Sequence, residues 1–529
     1  MISFRLSWLI VVIGLGFPFW GVSSSKGQKP KKPPLNQGWA EILVVDEGTG
    51  KGIPLVELST VHSLFFVTDN YGRIALQEPE LMGQEVYFNI QAHGYDLAKD
   101  GFGFKGAKVT LKVGQVSTIR LKRINIAERL CRLTGEGLYR DSLLLGYRSP
   151  QDSTSASGMV VGQDSVQATV FQNRVHWFWG DTNRLRYPLG LYRMAGATTP
   201  LPQKGQPPFD PSKGIPFEYF VDKTGFSRAM MPLPQRPDGV VWVFSLCVVP
   251  NAKGTETLVA FYTRRKSLTE EVEKGIAVFD PIKAIFESVK VLPLTESWRH
   301  PNGHPIPYEE KGKKWLLMGS PNPNVRVPAT FEAILDPTQY EAFTCAERGP
   351  DGHSTLPQLN KEGRPIWVWQ KELPPMDSKT EQKWVKEEKI KPKDTRFYPF
   401  NVKKTTERIV LHSGSVRWNS FRKKWILLAG QLGGSSSLLG EVWYSEADAP
   451  TGPFAKAIKV VTHEKQTFYN VCHHSFLDQD DGKWIYFEGT YTNDFSGNSW
   501  KTPRYNYNQV LYRLDLGDEF LQGPHPKDR

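Results

Sequence analysis

Cysteine is scarce in this chain: four residues in 529. Cys131, Cys247, Cys345 and Cys472 stand far apart, which excludes a CxxC zinc or redox motif. Disulfides fit an oxidising compartment, and buried free thiols fit equally well. A G-x-S-x-G elbow, an H-E-x-x-H helix and a P-loop are all missing, so serine-hydrolase, zinc-protease and nucleoside-triphosphatase chemistry have no sequence support. No helix-turn-helix, zinc finger or glycine-rich RNA motif accompanies the net charge of +11, so nucleic acid is not an expected partner. Long apolar runs are absent but for one. Behind Arg5, residues 6–20 are apolar, too short for a comfortable membrane span, and small residues follow at 21–25. This reads as an export signal over 1–25, with an uncleaved anchor as the alternative, and predicts a secreted or periplasmic protein. No metal site and no cofactor are expected, and the sequence leaves the oligomeric state unknown.

What is present is β-forming. Hydrophobic residues make up 39% of the chain and charged residues 23%, enough to bury a core. Sixteen tryptophans and nineteen tyrosines fit both strand packing and carbohydrate binding. A Lys/Pro linker, 26–38, precedes short strands predicted at 40–45, 54–59, 64–67, 73–76, 85–92, 107–113 and 117–121. Gly- and Asp-bearing turns separate them, which predicts a small β-sandwich over 39–123. Its phrases VVDEGTGKGIPLVEL, TDNYGRIAL and AHGY resemble the carboxypeptidase regulatory-like (transthyretin-like) domain, a resemblance that implies a spacer or adhesion module. A connector, 124–158, follows, with one strand candidate at 142–145.

Beyond it one phrase recurs: a strand, a tight polar turn, and a second strand led by tryptophan. The copies are VQATVFQNRVHWFWGDT, AMMPLPQRPDGVVWVFS, HPIPYEEKGKKWLLMGS, GSVRWNSFRKKWILLAG and HSFLDQDDGKWIYFEGT, led by Trp177, Trp242, Trp315, Trp425 and Trp484. Third strands are predicted at 257–263, 331–335, 441–446 and 509–514. A lone antiparallel unit cannot bury both faces, and several around an axis can. The reading is all-β: an N-terminal β-sandwich, then a five-bladed β-propeller over 159–517, with a short tail at 518–529. A chain of sandwiches or a β-helix is the alternative. The Lys/Glu-dense insert 371–393 reads as a solvated loop or short helix.

In a propeller the innermost strands line a channel, so polar residues at their starts are the candidates. These are the tetrads 162–165, 225–228, 301–304, 412–415 and 472–475. Glycoside hydrolysis needs two carboxyl groups, one to donate a proton and one to act as nucleophile or base. Glu488, in the apolar run YFEGT, is the expected proton donor. Asp164 is the expected nucleophile or base, Asp181 the orienting group, and Glu441 the reserve acid. For each, a turn or strand-end salt bridge is the plainer explanation. Arg228, Asn302, His304, Arg417, His473 and His474 are expected to hydrogen-bond sugar hydroxyls.

The phrases GQDSV…WFWGDT, SEADAPTGPF and FYNVCHHSFLDQDDGKWIYFEGTY resemble the secreted five-bladed glycoside hydrolases of the arabinanase, xylosidase and fructosidase type, closest to the endo-D-arabinanase-like branch. The resemblance spans about 161–516. It implies cleavage of a polysaccharide or envelope glycan by paired acids, with Asp164 as the opening acid. The Arg-Asp-Pro and Glu-Cys phrases of the fructosidases are absent, which leaves the acid partner unassigned. A non-catalytic propeller that binds glycan or protein, presented by the sandwich, is the alternative function.

Overall fold

The computed structural model describes residues 38–150, 158–185, 187–191, 193–202, 209–351 and 355–521. The export signal, all but the last residue of the linker, and the tail from 522 onward lie outside the described residues.

The first unit is two four-stranded sheets. One has the order Arg73–Leu76, Ala40–Asp46, Val116–Arg123, Tyr95–Asp96; the other runs Phe65–Val67, Glu57–Thr60, Glu85–Gln91, Gly106–Thr110. Alternate residues of Val116–Arg123 are buried, as a strand with one wet face requires. Ile42, Val44, Leu58, Ile74, Phe88 and Ile119 fill the space between the sheets. Ala40–Asp46 and Val116–Arg123 pair in parallel, so the first and last long strands lie side by side.

The remaining large sheets form a ring of five blades. Blade one is Gln167–Phe171, Arg174–Trp179, Ala195–Pro200 and Glu218–Tyr219; blade two is Val240–Pro250, Glu256–Arg265, Glu271–Asp280 and Ile285–Leu292. Blade three begins with Ile306–Glu310 and Lys313–Met318, and blade four with Leu411–Asn419 and Lys424–Gln431. Blade five is Thr467–His473, Trp484–Thr492 and Asn508–Asp515, and its outer strand is Glu128–Arg132, from the far end of the chain. That antiparallel pairing closes the ring, and it shows that the stretch read as a connector supplies a blade strand.

Packing explains why the repeats are apolar on both faces. Five hydrophobic clusters occur, each between two consecutive blades. In Arg174–Trp179 every residue after the first is buried: Trp177 and Trp179 pack towards blade five, Phe178 towards blade two. Each such side chain contributes about 1.5–3 kcal/mol of burial.

The structure corrects several expected elements. Residues 142–145 are not a strand; a short helix, Arg140–Leu144, stands there. Residues 331–335 form the helix Phe331–Leu335, capped by the Thr330 hydroxyl accepting from the Ala333 amide. Trp242 lies on the inner strand of blade two, not on a second strand, because 228–239 forms no strand. Residues 257–263 therefore belong to the second strand of that blade. The insert contains the helix Ser378–Lys386, whose Trp384 is buried against Phe343 and Phe397, so one face is packed, not solvated. All four cysteines are free and buried. No helix among the described residues is long and apolar enough to cross a membrane.

Candidate active site at the hub

The inner strands run the same way around the axis. Their earlier residues, from all five blades, line a cavity of about 990 Å³. Their later residues line a second cavity of about 510 Å³, so the channel has two mouths. Gln167 and His304 line both.

A hydrogen-bonded belt holds the first mouth. Ser165, Ser245 and Asn470 have left-handed backbone with φ of 56, 51 and 53°, and the inner strands of blades two, four and five shift register at this level. The amide of Asn470 donates to Ser413 Oγ (3.0 Å) and its side-chain amide to Ser165 Oγ (2.6 Å). The Ser245 amide donates to Gln167 Oε1 (3.2 Å), Ser245 Oγ to the Pro301 carbonyl (2.7 Å), and the Gly414 amide to Ser320 Oγ (3.2 Å). Bulged backbone of blades two, four and five is thus satisfied by the preceding blade.

Asp164 and Asp181 meet in this mouth. Asp164 follows the short strand Val160–Gln163, which pairs with Thr182–Arg184, so the two acids sit on adjoining strand ends. The Asp181 amide donates to Asp164 Oδ1 (2.8 Å), and the Tyr469 hydroxyl donates to Oδ2 (2.7 Å). Gly180 makes this approach possible: a Cβ there would lie 2.3 Å from Asp164 Oδ1. Trp242 Nε1 donates to Asp181 Oδ1 (3.0 Å). Burial, then the Asp181 charge, pushes the Asp164 carboxyl up to about 6, against the hydrogen bonds from Tyr469, Tyr507 and Asp181. Asp181 is also raised by burial, which the Trp242 hydrogen bond opposes. Two neighbouring carboxyls that both resist ionisation titrate as a coupled unit.

Of the other expected residues, Asn302 and His304 line the same mouth. Arg417, His473 and His474 line the second one. Blade five explains this: its tetrad 472–475 ends the inner strand, and Tyr469 and Asn470 occupy the level of the other starts. Arg228 lines neither cavity; its guanidinium donates to the carbonyls of Lys283 and Ala284 (3.0 and 2.8 Å). Glu488 is not a wall of the Asp164 cavity. It is fully buried, with Oε1 2.6 Å from His474 Nε2. Glu441 is closed off by Ser436, Thr462 and Lys459.

Several lining residues escaped the sequence reading. Tyr469, Tyr507, Asp494 and Phe495 come from blade five, and Trp242 and Glu271 from blade two. Burial raises the Glu271 carboxyl, but Thr263, Lys274 and Arg265 outweigh it and hold the group below its ordinary value. The signal that was available is the Asn/Tyr-rich stretch 493–508 between two strands of one blade. His300, edge-on to Phe244 and Phe261, is held near 4 by burial and donates Nε2–H to the Gly275 carbonyl (3.1 Å). Among the described residues, no group of three or more His, Cys, Asp or Glu is arranged to hold a metal ion.

No family model and no curated protein matches the chain. Among solved structures, a GH43_1 enzyme from Xanthomonas citri is similar at a TM-score of 0.34 and 9% identity, over 74% of this chain and 90% of that one. An endo-arabinase from Bacteroides thetaiotaomicron gives 0.29 and 11%, over 67% and 94%. The Cellvibrio cellulosa alpha-L-arabinanase gives 0.31 and 10%, over 67% and 91%. The ring of blades rests on the pairings and clusters within this chain, and these likenesses add nothing to the site.

Proposed function

We propose that this chain is an exported glycan-acting protein that hydrolyses a glycosidic bond in the first mouth of its channel. The observation that carries the reading is the Asp164–Asp181 pair, two buried acids that both hold their protons more tightly than usual at the wall of a cavity roomy enough for several sugar rings. Asp164, the raised member, donates the proton to the leaving oxygen, and an ionised carboxylate stabilises the positive charge that develops on the sugar. Asp164 thus takes the proton-donor role expected of Glu488, which does not line the cavity. Asp181 and Glu271 are the two candidates for the ionised partner; Glu271 has the lowered affinity for protons that a base needs. Trp242 and the exposed Phe495 offer ring faces for sugar C–H surfaces. The amino-terminal apolar segment directs export, and the sandwich, resembling a carboxypeptidase regulatory-like domain, holds the propeller away from the envelope.

A second reading, glycan binding without turnover, is favoured by two observations. Glu488 is sequestered, and both oxygens of Asp164 already accept hydrogen bonds from the fold. The test is a polysaccharide panel scored both for reducing ends released and for retardation in glycan-containing gels. Release that is lost in Asp164→Asn and Glu271→Gln supports hydrolysis. Retardation without release supports binding, and neither signal on any glycan refutes both. Export is checked by fractionation and amino-terminal sequencing of the mature chain.

A further inference from the structure

The second mouth holds a constellation that the carboxylate pocket does not use. Cys472 Sγ lies 3.5 Å from His304 Nδ1, contributed by blade three, and 3.8 Å from Nδ1 of His474, just past the end of its own strand. His474 Nε2 lies 2.6 Å from Glu488 Oε1, so one imidazole is spanned by a sulfur on one side and a carboxylate on the other. Arg417, from blade four, donates to the His304 carbonyl (3.0 Å), and its charge acts on the sulfur. Beside this group a second dyad stands: His473 Nε2 contacts both oxygens of Asp478 (2.9 and 3.1 Å). His473 is buried and lines the same cavity, and its Nδ1 has no hydrogen-bond partner among the described residues.

We propose that Cys472, His304, His474 and Glu488 form a second reactive centre, a thiolate–imidazolium group oriented by a carboxylate, which takes small uncharged carbonyl or alkylating electrophiles from the second mouth of the channel. The three parts have separate tasks. His474 holds the proton that the sulfur gives up, His304 bounds the sulfur from blade three, and Glu488 fixes the orientation of His474. The cavity wall formed by His304 and His474 is the way in, because the sulfur lies directly behind it.

The other cysteines provide the contrast. Burial pushes the Cys247 thiol up to about 12, burial and then the Glu381 charge do the same for Cys345, and Cys131 is raised higher still, chiefly by burial. Burial also opposes ionisation of Cys472, yet the charges of His304 and His474 overcome it and hold the thiol well below its ordinary value. His474 is correspondingly raised to about 10, by Cys472 and then Glu488, against its burial.

The centre is tested on the native full chain with iodoacetamide, read by peptide mass spectrometry. The thiolate displaces iodide: one S–C bond forms as the C–I bond breaks, and the imidazolium keeps its proton. Cys472 labels at least about tenfold faster at pH 6 than Cys131, Cys247 or Cys345, and its rate stays flat from pH 6 to 8, whereas an ordinary thiol speeds up about tenfold per pH unit there. Glu488→Gln and His304→Asn each slow Cys472 labelling and restore its rise with pH; the second variant serves if the first does not fold. Asp164→Asn leaves labelling unchanged, which separates this centre from the glycan reading. The proposal is overturned if Cys472 labels no faster than the other three, if its rate climbs with pH as theirs do, or if it labels only after the protein unfolds.

Discussion

The two mouths of the channel are built from the same five strands and carry different chemistry. The first pairs carboxylates with aromatics, Asp164, Asp181, Trp242, Tyr469 and Tyr507, and has Arg265 and Lys274 in its wall. The second is basic: Arg417, His473 and His474 beside Trp418 and Trp425. Only a few residues along each strand separate them. The blades explain how this is tolerated. Side chains between blades must be apolar to seal the ring, and they set the packing. Side chains facing the axis have no such duty, so each end of one scaffold takes its own residues. The belt at Ser165, Ser245 and Asn470 marks the division, because a bulge resets which side chains face inwards.

Substitutions test whether the two mouths are independent, and the largest effect is expected at the first. Asp164→Asn lowers glycan hydrolysis by about a thousandfold, the scale of losing a positioned acid, with thermal unfolding unchanged or raised. Release of reducing ends gives the first quantity and calorimetry the second. Gly180→Ala places a methyl 2.3 Å from Asp164 Oδ1 and displaces the carboxylate. It costs about 1–3 kcal/mol in urea denaturation and weakens glycan action, while labelling of Cys472 is unaltered.

The pH dependence of stability separates the mouths by window. Asp164 is raised in the folded state from 3.8 to about 6, so between those values the folded chain binds more protons than the unfolded one. Stability therefore falls as pH rises from about 4 to about 6, and Asp164→Asn flattens that slope. His474 is raised from 6.5 to about 10, so its own contribution is complete below pH 6.5 and is lost as pH rises through about 10, while the lowered Cys472 thiol offsets that slope below pH 9. His474→Gln removes only this upper slope. Urea denaturation across pH 4–10 reads both windows; slopes that do not respond to these substitutions would break the comparison.

Smaller effects sharpen it. Trp242→Phe keeps a ring but removes the donor to Asp181, at a cost of about 1 kcal/mol, and shifts the acid limb of the activity profile upward. Arg228→Ala touches neither mouth and, losing the hydrogen bonds to the Lys283 and Ala284 carbonyls, costs about 1 kcal/mol, with glycan action and thiol labelling both intact.

Much of the ring is legible in the chain. Trp177, Trp315, Trp425 and Trp484 lie on second strands, as the recurring hairpins imply, because a strand sealed on both faces must be apolar throughout. Trp242 departs from this. Its hairpin partner is downstream, and the upstream stretch 228–239 imitates a strand in composition without pairing. The fifth tetrad misleads for a related reason: blade five enters its inner strand at Thr467, so Cys472–Ser475 ends a level lower than its counterparts. The acids flanking the first hairpin stand out as carboxylates that a strand does not need, and the structure brings them together. Glu488 stands out equally, in an apolar run, and pairs with His474 instead.

By itself the sequence determined the unit: alternation, turns and tryptophan-led strands are local properties, set by the two-residue period of a strand and by the need to bury both faces of a blade. It determined that such units must assemble, since none buries itself alone. Only the tertiary structure decided which polar residues meet. The Tyr469 hydroxyl reaches Asp164 across 305 positions of chain, and the strand 128–132 closes the ring against 508–515. Those distances are set by how blades pair around the axis, a non-local choice that no short run of residues encodes.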